Sequence, residues 1–311
     1  MAHKVTHFFR MRNRLINAAS VLWLLFTPTI ARGQDAVAAT RCLPGLHANQ
    51  ASGWVAFPDD ALFCPLLADP KEPRSFISGL HSSFRSAIGG EDVDVTVGAI
   101  GIGDGIGLFR SGSGTGNGIQ LGLDAAVFAQ FDLGTSSYDL INADYVVGLP
   151  LTIRRAGFGA RLRFYHQSSH LGDEFLLRSE TPERENLSFE ALQVILSQEF
   201  GLLRVYAGGE LLFNREPEDL AAKVAQAGIE LRPSAARVRW VAAADAKSSE
   251  EQDWKVAISA RTGLELAAGG GADHPGRVWA LLGEFYSGPS PYGQFFRERI
   301  QYIGLGLHLR L

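Results

Sequence analysis

Cysteine, excess charge of one sign and long apolar runs are all scarce in this sequence of 311 residues. Only two cysteines occur and they do not form a CxxC pair, which argues against a metal site built on cysteine. The formal net charge of −4 provides no basic surface, so nucleic acid is excluded as a partner. After residue 33 no apolar run is long enough to form a transmembrane helix. The chain is instead rich in glycine, with 35 residues, and 10% aromatic, which favours an all-β protein.

The first 33 residues have the pattern of a secretory signal peptide. Several basic residues precede an apolar stretch that runs from Leu15 to about Ile30, and Ala31-Arg-Gly33 then offers small residues to a signal peptidase. We therefore expect export and a mature chain that begins near Gln34. The alternative is an uncleaved membrane anchor, although the apolar stretch is short for a span of roughly 20 residues.

Residues 34–72 differ from the rest of the mature chain, because they contain both cysteines, four prolines and little alternation of polar and apolar residues. This composition predicts an irregular N-terminal segment, which lies either on the periplasmic side or as a plug. In an oxidising compartment the expected state of the two cysteines is a disulfide bond between Cys42 and Cys64.

Residues 73–311 contain about twelve runs of alternating polar and apolar residues, most of them ten or more residues long. Alternation with a period of two is typical of strands that have one polar and one apolar face. Strands of soluble sandwiches are shorter, usually about five or six residues. Long strands in an even number behind a signal peptide predict an antiparallel transmembrane β-barrel of about 12 strands. The runs lie near residues 74–85, 92–110, 118–133, 137–154, 157–169, 186–200, 201–214, 221–232, 236–247, 252–267, 276–288 and 298–311.

The polar faces of these runs carry charges of both signs, which we expect to pair inside the barrel and fill its lumen. Two runs fit the pattern less well. Residues 187–200 have apolar residues at both parities and could form an amphipathic helix. The run 92–110 changes parity around Gly101 to Gly103, which indicates a bulge or two short strands.

One run ends its apolar face in His166 and Ser168, which are two residues apart and therefore on the same side of a strand. A serine hydroxyl beside an imidazole is the minimum pair for a nucleophile and its general base. If the apolar face contacts lipid, this pair is a candidate active site at the membrane. The alternative is a polar strand end at the membrane interface, hydrogen-bonded to the following loop.

The residues after this pair provide secondary candidates. Ser169 and His170 continue the run, and Asp173 and Glu174 follow in a long charged loop that suits the outer surface of the cell. Because Ca²⁺ is a hard cation that prefers oxygen ligands, the two carboxylates could bind it, although an ordinary solvated loop is the favoured explanation for them.

Four segments resemble a family of bacterial proteins known only as a domain of unknown function, whose members are expected to be exported barrels. The segments are residues 63–74, 147–152, 165–175 and 291–296, and the similarity extends over most of the mature chain. This resemblance implies a barrel fold for the whole mature chain and brings no established activity.

A second, local resemblance is to two outer-membrane acyl hydrolases, the phospholipase A barrel and the lipid A deacylase barrel. Both carry a His-x-Ser pair on the lipid-facing side of a strand, and His166-Gln-Ser168 matches it by type, spacing and expected face. The resemblance implies Ser168 as the nucleophile and His166 as the base, but Ser169 stands where both families have Asn. The residue that orients His166 stays open, the candidates being Glu190 or Glu185 on the next strand and Asp173 or Glu174 in the loop.

The sequence thus predicts a protein of the bacterial outer membrane, and the sharpest hypothesis for its activity is a serine-type lipid acyl-ester hydrolase at the outer leaflet. Its expected partners are membrane lipid or lipopolysaccharide and the barrel-assembly machinery, with Ca²⁺ as a candidate cofactor. The alternatives are a non-enzymatic structural barrel or narrow channel, and a soluble exported β-protein that binds a ligand.

Overall fold

The computed structural model describes residues 53–58, 61–85, 92–113, 117–178, 186–233, 238–268 and 277–310. Twelve antiparallel strands, β2 to β13, pair in sequence order, and β2 also pairs with β13, which closes a barrel. This confirms the predicted fold class. The strands are β1 (Gly53–Ala56), β2 (Ser75–Arg85), β3 (Asp92–Ser113), β4 (Asn117–Asp132), β5 (Leu140–Arg155), β6 (Phe158–Leu171), β7 (Leu187–Phe200), β8 (Leu203–Glu216), β9 (Lys223–Leu231), β10 (Val238–Ser249), β11 (Val256–Ala268), β12 (Arg277–Pro289) and β13 (Arg299–Arg310).

The two ends of the barrel differ in how the strands are connected. At the turn end, where β2 begins and β13 ends, β5 and β6 are joined by Ala156 and Gly157 alone, whose φ angles of 48° and 83° suit a type I′ turn. At the loop end, the connections carry the short helix α1 (Asp173–Arg178) and the 3-10 turns Glu250–Gln252 and Gly293–Phe295. No helix among the described residues is long and apolar enough to cross a membrane.

β1 lies outside the ring of twelve strands and pairs with the end of β3, from Gly53 opposite Gly112 to Ala56 opposite Phe109. β3 has 22 residues, but β2 pairs only with its first part, from Asp92 to Gly101. The rest of β3 would therefore expose an unpaired edge, and β1 covers part of that edge.

Both runs that fitted the strand pattern poorly are strands. The first is β3, whose register with β4 shifts between Gly107 and Phe109, so the predicted bulge exists but lies farther along than Gly101 to Gly103. The second is β7, so the helical alternative for residues 187–200 is wrong. Its inward face is largely apolar, because Leu187, Phe189 and Ala191 belong to one interior apolar cluster and Ile195 packs with Phe63 and Leu66 of another.

The barrel has an apolar exterior and a polar interior. Outward-facing residues in the middle of the strands are large, apolar and exposed, such as Leu281 at 57% and Leu305 at 62%. Inward-facing charged residues are buried, such as Arg163 at 3% and Glu265 at 4%. An apolar outer band around a polar interior is typical of barrels that span a lipid bilayer.

The buried charges pair with one another inside the barrel, as expected from the sequence, and the pairs join strands that are adjacent or two apart in the wall. The shortest pairs between strands join Arg163 to Asp124 at 2.6 Å and Arg239 to Glu265 at 2.6 Å. Arg261 pairs with Glu284 at 3.0 Å. Removing one partner of a buried ion pair lowers the stability of the fold by about 3–5 kcal/mol, because the remaining charge is left unpaired. The lumen can therefore be filled with charged residues only if they pair with one another.

Residues 61–74, which we call the plug, lie inside the lumen. Glu72 bonds to Arg161 on β6 through both carboxylate oxygens, and Lys71 reaches Asp144 on β5 at 2.5 Å. Leu66 and Ala68 are fully buried at 0% exposure. The plug thus fills the interior with both ion pairs and apolar contacts.

Asp69 is a buried carboxylate of the plug that lies 3.7 Å from Nζ of Lys247. Burial by itself would raise the pKa of Asp69, but Lys247 and hydrogen bonds from the backbone N–H of Lys71 and from Gln226 outweigh burial, so the pKa is lowered. Asp69 therefore stays ionised inside the lumen.

Several predicted features fall outside the described residues. These are the signal peptide, the first part of the N-terminal segment and Cys42. Cys64 is described and lies in the plug with 1% exposure. The bond between Cys42 and Cys64 stays a prediction.

Candidate active site

β6 places His166 and Ser168 on the outer surface of the barrel. Along this strand the odd-numbered residues from Gly159 to Ser169 are buried toward the lumen, whereas the even-numbered ones are partly or fully exposed. This is the alternation that a strand with one lumen face and one outer face requires. His166 and Ser168 therefore lie on the same, outer face of β6, as the sequence predicted.

Glu190 on β7 lies directly opposite His166 in the strand register. The Nδ1 atom of His166 is 3.3 Å from Oε1 of Glu190, and the side chains of His166 and Glu190 are 41% and 26% exposed. Because a carboxylate only accepts hydrogen bonds, this contact places the proton of a neutral His166 on Nδ1. Nε2 of His166 is then left as an acceptor, which is the state a general base needs.

Ser168 lies opposite Tyr145 on β5 and opposite Ser188 on β7. Among the described residues, no hydrogen bond joins Ser168 to His166. Their Cα atoms are two strand residues apart, which corresponds to about 6.6 Å, so a change of rotamer is needed to bring Oγ to Nε2. Hydrogen bonds between catalytic groups are often long in the absence of substrate and tighten when it binds.

The secondary candidates do not join this pair. Ser169 faces the lumen at 2% exposure and donates its hydroxyl to Asp144. His170 is exposed on the outer surface, with its ring edge-on to Tyr145 at a centroid distance of 5.8 Å. Asp173 and Glu174 are exposed in the first turn of α1.

Glu185, the remaining candidate for orienting His166, lies outside the described residues. Within the part of the chain that the structure describes, no group of three or more His, Cys, Asp or Glu residues could hold a metal ion. Glu190 is thus the one candidate among the described residues that contacts His166.

The surroundings of the pair change from apolar to polar toward the loop end. On the side of the barrel middle, Phe164 stacks on Phe213 at 5.9 Å. Toward the loop end, Ser168 and the exposed His170 follow on the same face. The pair therefore lies at a border between apolar and polar surface, where the acyl chains of a lipid would meet its head group. Phe213, Tyr145 and Ser188 could not be assigned to this site from the sequence, because only the strand register brings them to this place.

A closed barrel of twelve strands with an apolar exterior and a filled polar lumen defines an outer-membrane-type β-barrel protein. Solved structures of this class are similar. Outer membrane phospholipase A from Escherichia coli is 17% identical with a TM-score of 0.54, over 78% of this chain and 93% of that chain. The outer membrane phospholipase of Salmonella typhi, a dimer with bound calcium, is 16% identical with a TM-score of 0.52, over 78% and 93%. At these identities the likeness shows the fold alone.

Residues 34–311 match the family described as "Protein of unknown function (DUF1207)", and the chain belongs to this family. This confirms the resemblance to a domain of unknown function that the sequence indicated. No curated protein matches the chain.

Proposed function

We propose that this barrel resides in the bacterial outer membrane and hydrolyses acyl esters of membrane lipid, with Ser168 as the nucleophile, His166 as the general base and Glu190 as the residue that orients His166. The observation that carries the proposal is the contact between His166 Nδ1 and Glu190 Oε1 on the lipid-facing surface, two residues from an outward-facing serine. A carboxylate, an imidazole and a hydroxyl in this order are the parts of a serine-hydrolase triad.

The proposed reaction follows from the free nitrogen of His166. Nε2 takes the proton of Ser168 as Oγ attacks the ester carbonyl, and the ester C–O bond breaks to release a lysolipid whose oxygen receives that proton. Water then attacks the acyl-serine, His166 accepts a proton from that water and returns it to Oγ of Ser168 as the bond from Oγ to the acyl carbon breaks, and a fatty acid leaves. Glu190 stabilises the positive charge that His166 carries between these proton transfers.

Two substrate classes fit this position, namely phospholipid and the acyl chains of lipopolysaccharide. The similar solved barrels are phospholipases by name, which makes phospholipid the first substrate to test. Calcium is bound in one of them, and the exposed Asp173 and Glu174 supply carboxylates near the loop end. The loop end is then the cell exterior, and insertion is proposed to require the barrel-assembly machinery.

The test uses the folded mature protein in mixed micelles with phospholipid or lipid A, with and without Ca²⁺, and measures released fatty acid. Ser168→Ala and His166→Ala should each abolish release, and Glu190→Gln should lower it by about two to four orders of magnitude, the range that general base catalysis and its orientation contribute. All variants should keep heat-modifiable migration on gels, which reports a folded barrel.

Matched control variants show whether the loss of release is specific to the proposed catalytic residues or follows from removing any exposed serine or histidine. Ser188→Ala removes the outward serine that faces Ser168, and His81→Ala removes an exposed histidine on β2. Both should retain wild-type release. A wild-type protein that is inert toward both lipids under all conditions would reject the hydrolase proposal.

The second candidate is a non-enzymatic structural barrel, and the plug favours it over a channel. Side chains of the plug and the wall fill the lumen by ion pairs and apolar contacts. The exposed apolar exterior also argues against a soluble ligand-binding protein.

A further inference from the structure

A small cavity lies inside the barrel near the turn end, between the plug and the wall. Its volume is about 60 Å³, which is room for a few water molecules or one compact anion. Arg74 of the plug lines one side, and His308 and Arg310 on β13 line the other, together with Arg232, which follows β9. The residues that line this cavity are distant in the sequence from His166 and Ser168 on β6, and the role of the cavity is independent of the function proposed for that pair.

Nitrogen atoms around this cavity lack partners. Among the described residues, Nε and Nη1 of Arg232, Nη2 of Arg310, Nε of Arg74 and Nδ1 of His308 are buried without a hydrogen-bond partner. Arg232 is 6% exposed and His308 is 5% exposed. Buried polar atoms of native proteins are nearly always hydrogen-bonded, so a cluster of unpartnered ones around one cavity calls for an explanation.

The carboxylates beside the cavity do not meet this need. Glu265 is bonded to Arg239, at 2.6 Å to Nη2 and 2.7 Å to Nε, and its other oxygen stays 3.6 Å from Nη1 of Arg232. Glu230 is 3.7 Å from Nε of Arg232 and bonds to Arg204 and to the backbone N–H of Leu67. Asp104, which also lines the cavity, accepts a hydrogen bond from the backbone N–H of Gly105 and interacts electrostatically with Arg310, whose Nη2 is still without a hydrogen-bond partner.

His308 adds a second chemical requirement. Its Nε2 is 3.1 Å from Oε1 of Glu284, a carboxylate that also accepts from Ser78 and pairs with Arg261. Nε2 therefore donates, and a neutral His308, which lines the cavity, has its unpartnered Nδ1 as an acceptor. A ligand that satisfies the whole set carries anionic oxygens for the arginines and one O–H group for His308.

We propose that this cavity binds a small hydroxyl-bearing oxyanion of the hydrogen phosphate type. Guanidinium groups recognise such oxygens by short, charge-assisted hydrogen bonds, and the anion's hydroxyl donates to Nδ1 of His308. Because Arg74 belongs to the plug and the other residues belong to the wall, the bound anion holds the plug to the wall.

The test uses the folded mature protein in micelles, in a buffer free of phosphate and at constant ionic strength set by chloride. Calorimetric titration with inorganic phosphate should show saturable binding with one site per chain. Sulfate, which has no hydroxyl at neutral pH, should bind at least about tenfold more weakly, as expected for the loss of one such hydrogen bond to a buried group. Phosphate should also raise the unfolding temperature.

Arg232→Gln and Arg310→Gln should each weaken phosphate binding at least about tenfold. Arg163→Gln is the matched control, because it removes a lumen arginine that pairs with Asp124 and does not line the cavity. Its phosphate affinity should equal that of the wild type.

If an arginine variant does not fold, the wild-type protein still provides a test. The imidazole ¹⁵N signals of His308 should shift as phosphate is added, and they should saturate at the same phosphate concentration as the calorimetric signal. The absence of saturable binding up to about 10 mM phosphate, where even a weak site would fill, would mean that water alone occupies the cavity and would overturn the proposal. Equal loss of affinity in Arg163→Gln would overturn it too.

Discussion

The ion pair between Glu72 of the plug and Arg161 of β6 allows the attachment of the plug to be measured. Nη1 of Arg161 is 2.5 Å from Oε1 of Glu72, and Nη2 is 3.0 Å from Oε2, so the pair is bidentate. The side chain of Glu72 is 4% exposed and that of Arg161 is 6% exposed. We predict that Glu72→Gln, which keeps the shape and removes the charge, lowers the free energy of unfolding substantially.

The magnitude follows from what Arg161 retains. After the change its charged partner is gone, and it keeps one bond to Oε1 of Gln193 at 2.9 Å and its position over the ring of Phe63 at 4.9 Å. A buried charge that loses its partner costs about 3–5 kcal/mol. The retained contacts place the expected loss near the lower limit, at about 3 kcal/mol.

The assay is guanidinium unfolding of the barrel in lipid vesicles, followed by tryptophan fluorescence. Arg161→Gln and the double variant complete a thermodynamic cycle, in which the double variant should lose much less than the sum of the single losses. Lys223→Gln is the control, because its pair with Glu250 is 3.4 Å long with side chains 63% and 41% exposed, and it should change stability by no more than about 1 kcal/mol. A loss for Glu72→Gln as small as that of the control, or strictly additive single losses, would show that the pair does not hold the plug.

Four further outcomes are expected. The mature protein should fractionate with the outer membrane and show heat-modifiable migration on gels; recovery in the soluble periplasm would contradict this. The purified, unreduced protein should give no signal with a thiol reagent, because Cys42 and Cys64 are predicted to be bonded, whereas two labelled thiols would reject the bond. Single wild-type barrels should not conduct ions across a planar bilayer, and a variant whose residues 61–72 are replaced by a Gly-Ser segment of equal length should conduct; equal conductance would show that the plug does not block the lumen. Leu305→Arg, in the middle of the lipid-facing side of β13, should lower the stability in a bilayer by about 2–4 kcal/mol, whereas Gln301→Arg nearer the loop end should lower it by about 0–1 kcal/mol, and equal losses would argue that the apolar outer band does not contact lipid.

The alternation of residues determined most of the fold without any structure. A strand buried on one side and facing lipid on the other imposes a strict period of two, and twelve such runs were recognisable at nearly the observed positions. The outward face of His166 and Ser168 was readable for the same reason, since residues two apart share a face of any strand. The pattern failed in β7, where inward apolar residues such as Phe189 and Ile195 pack in interior apolar clusters, so that both faces carry apolar residues.

Only the tertiary structure decided which groups meet. Glu190 was one of several candidates to orient His166, and the strand register selects it, because the connection between β6 and β7 is too long for its length to set the pairing. The bulge at Gly107 to Phe109 lies beside the place where β1 joins β3, a pairing that no local pattern shows. The cavity of Arg74, Arg232, His308 and Arg310 assembles residues from distant parts of the chain, because closing a sheet into a barrel turns side chains from every strand toward one axis.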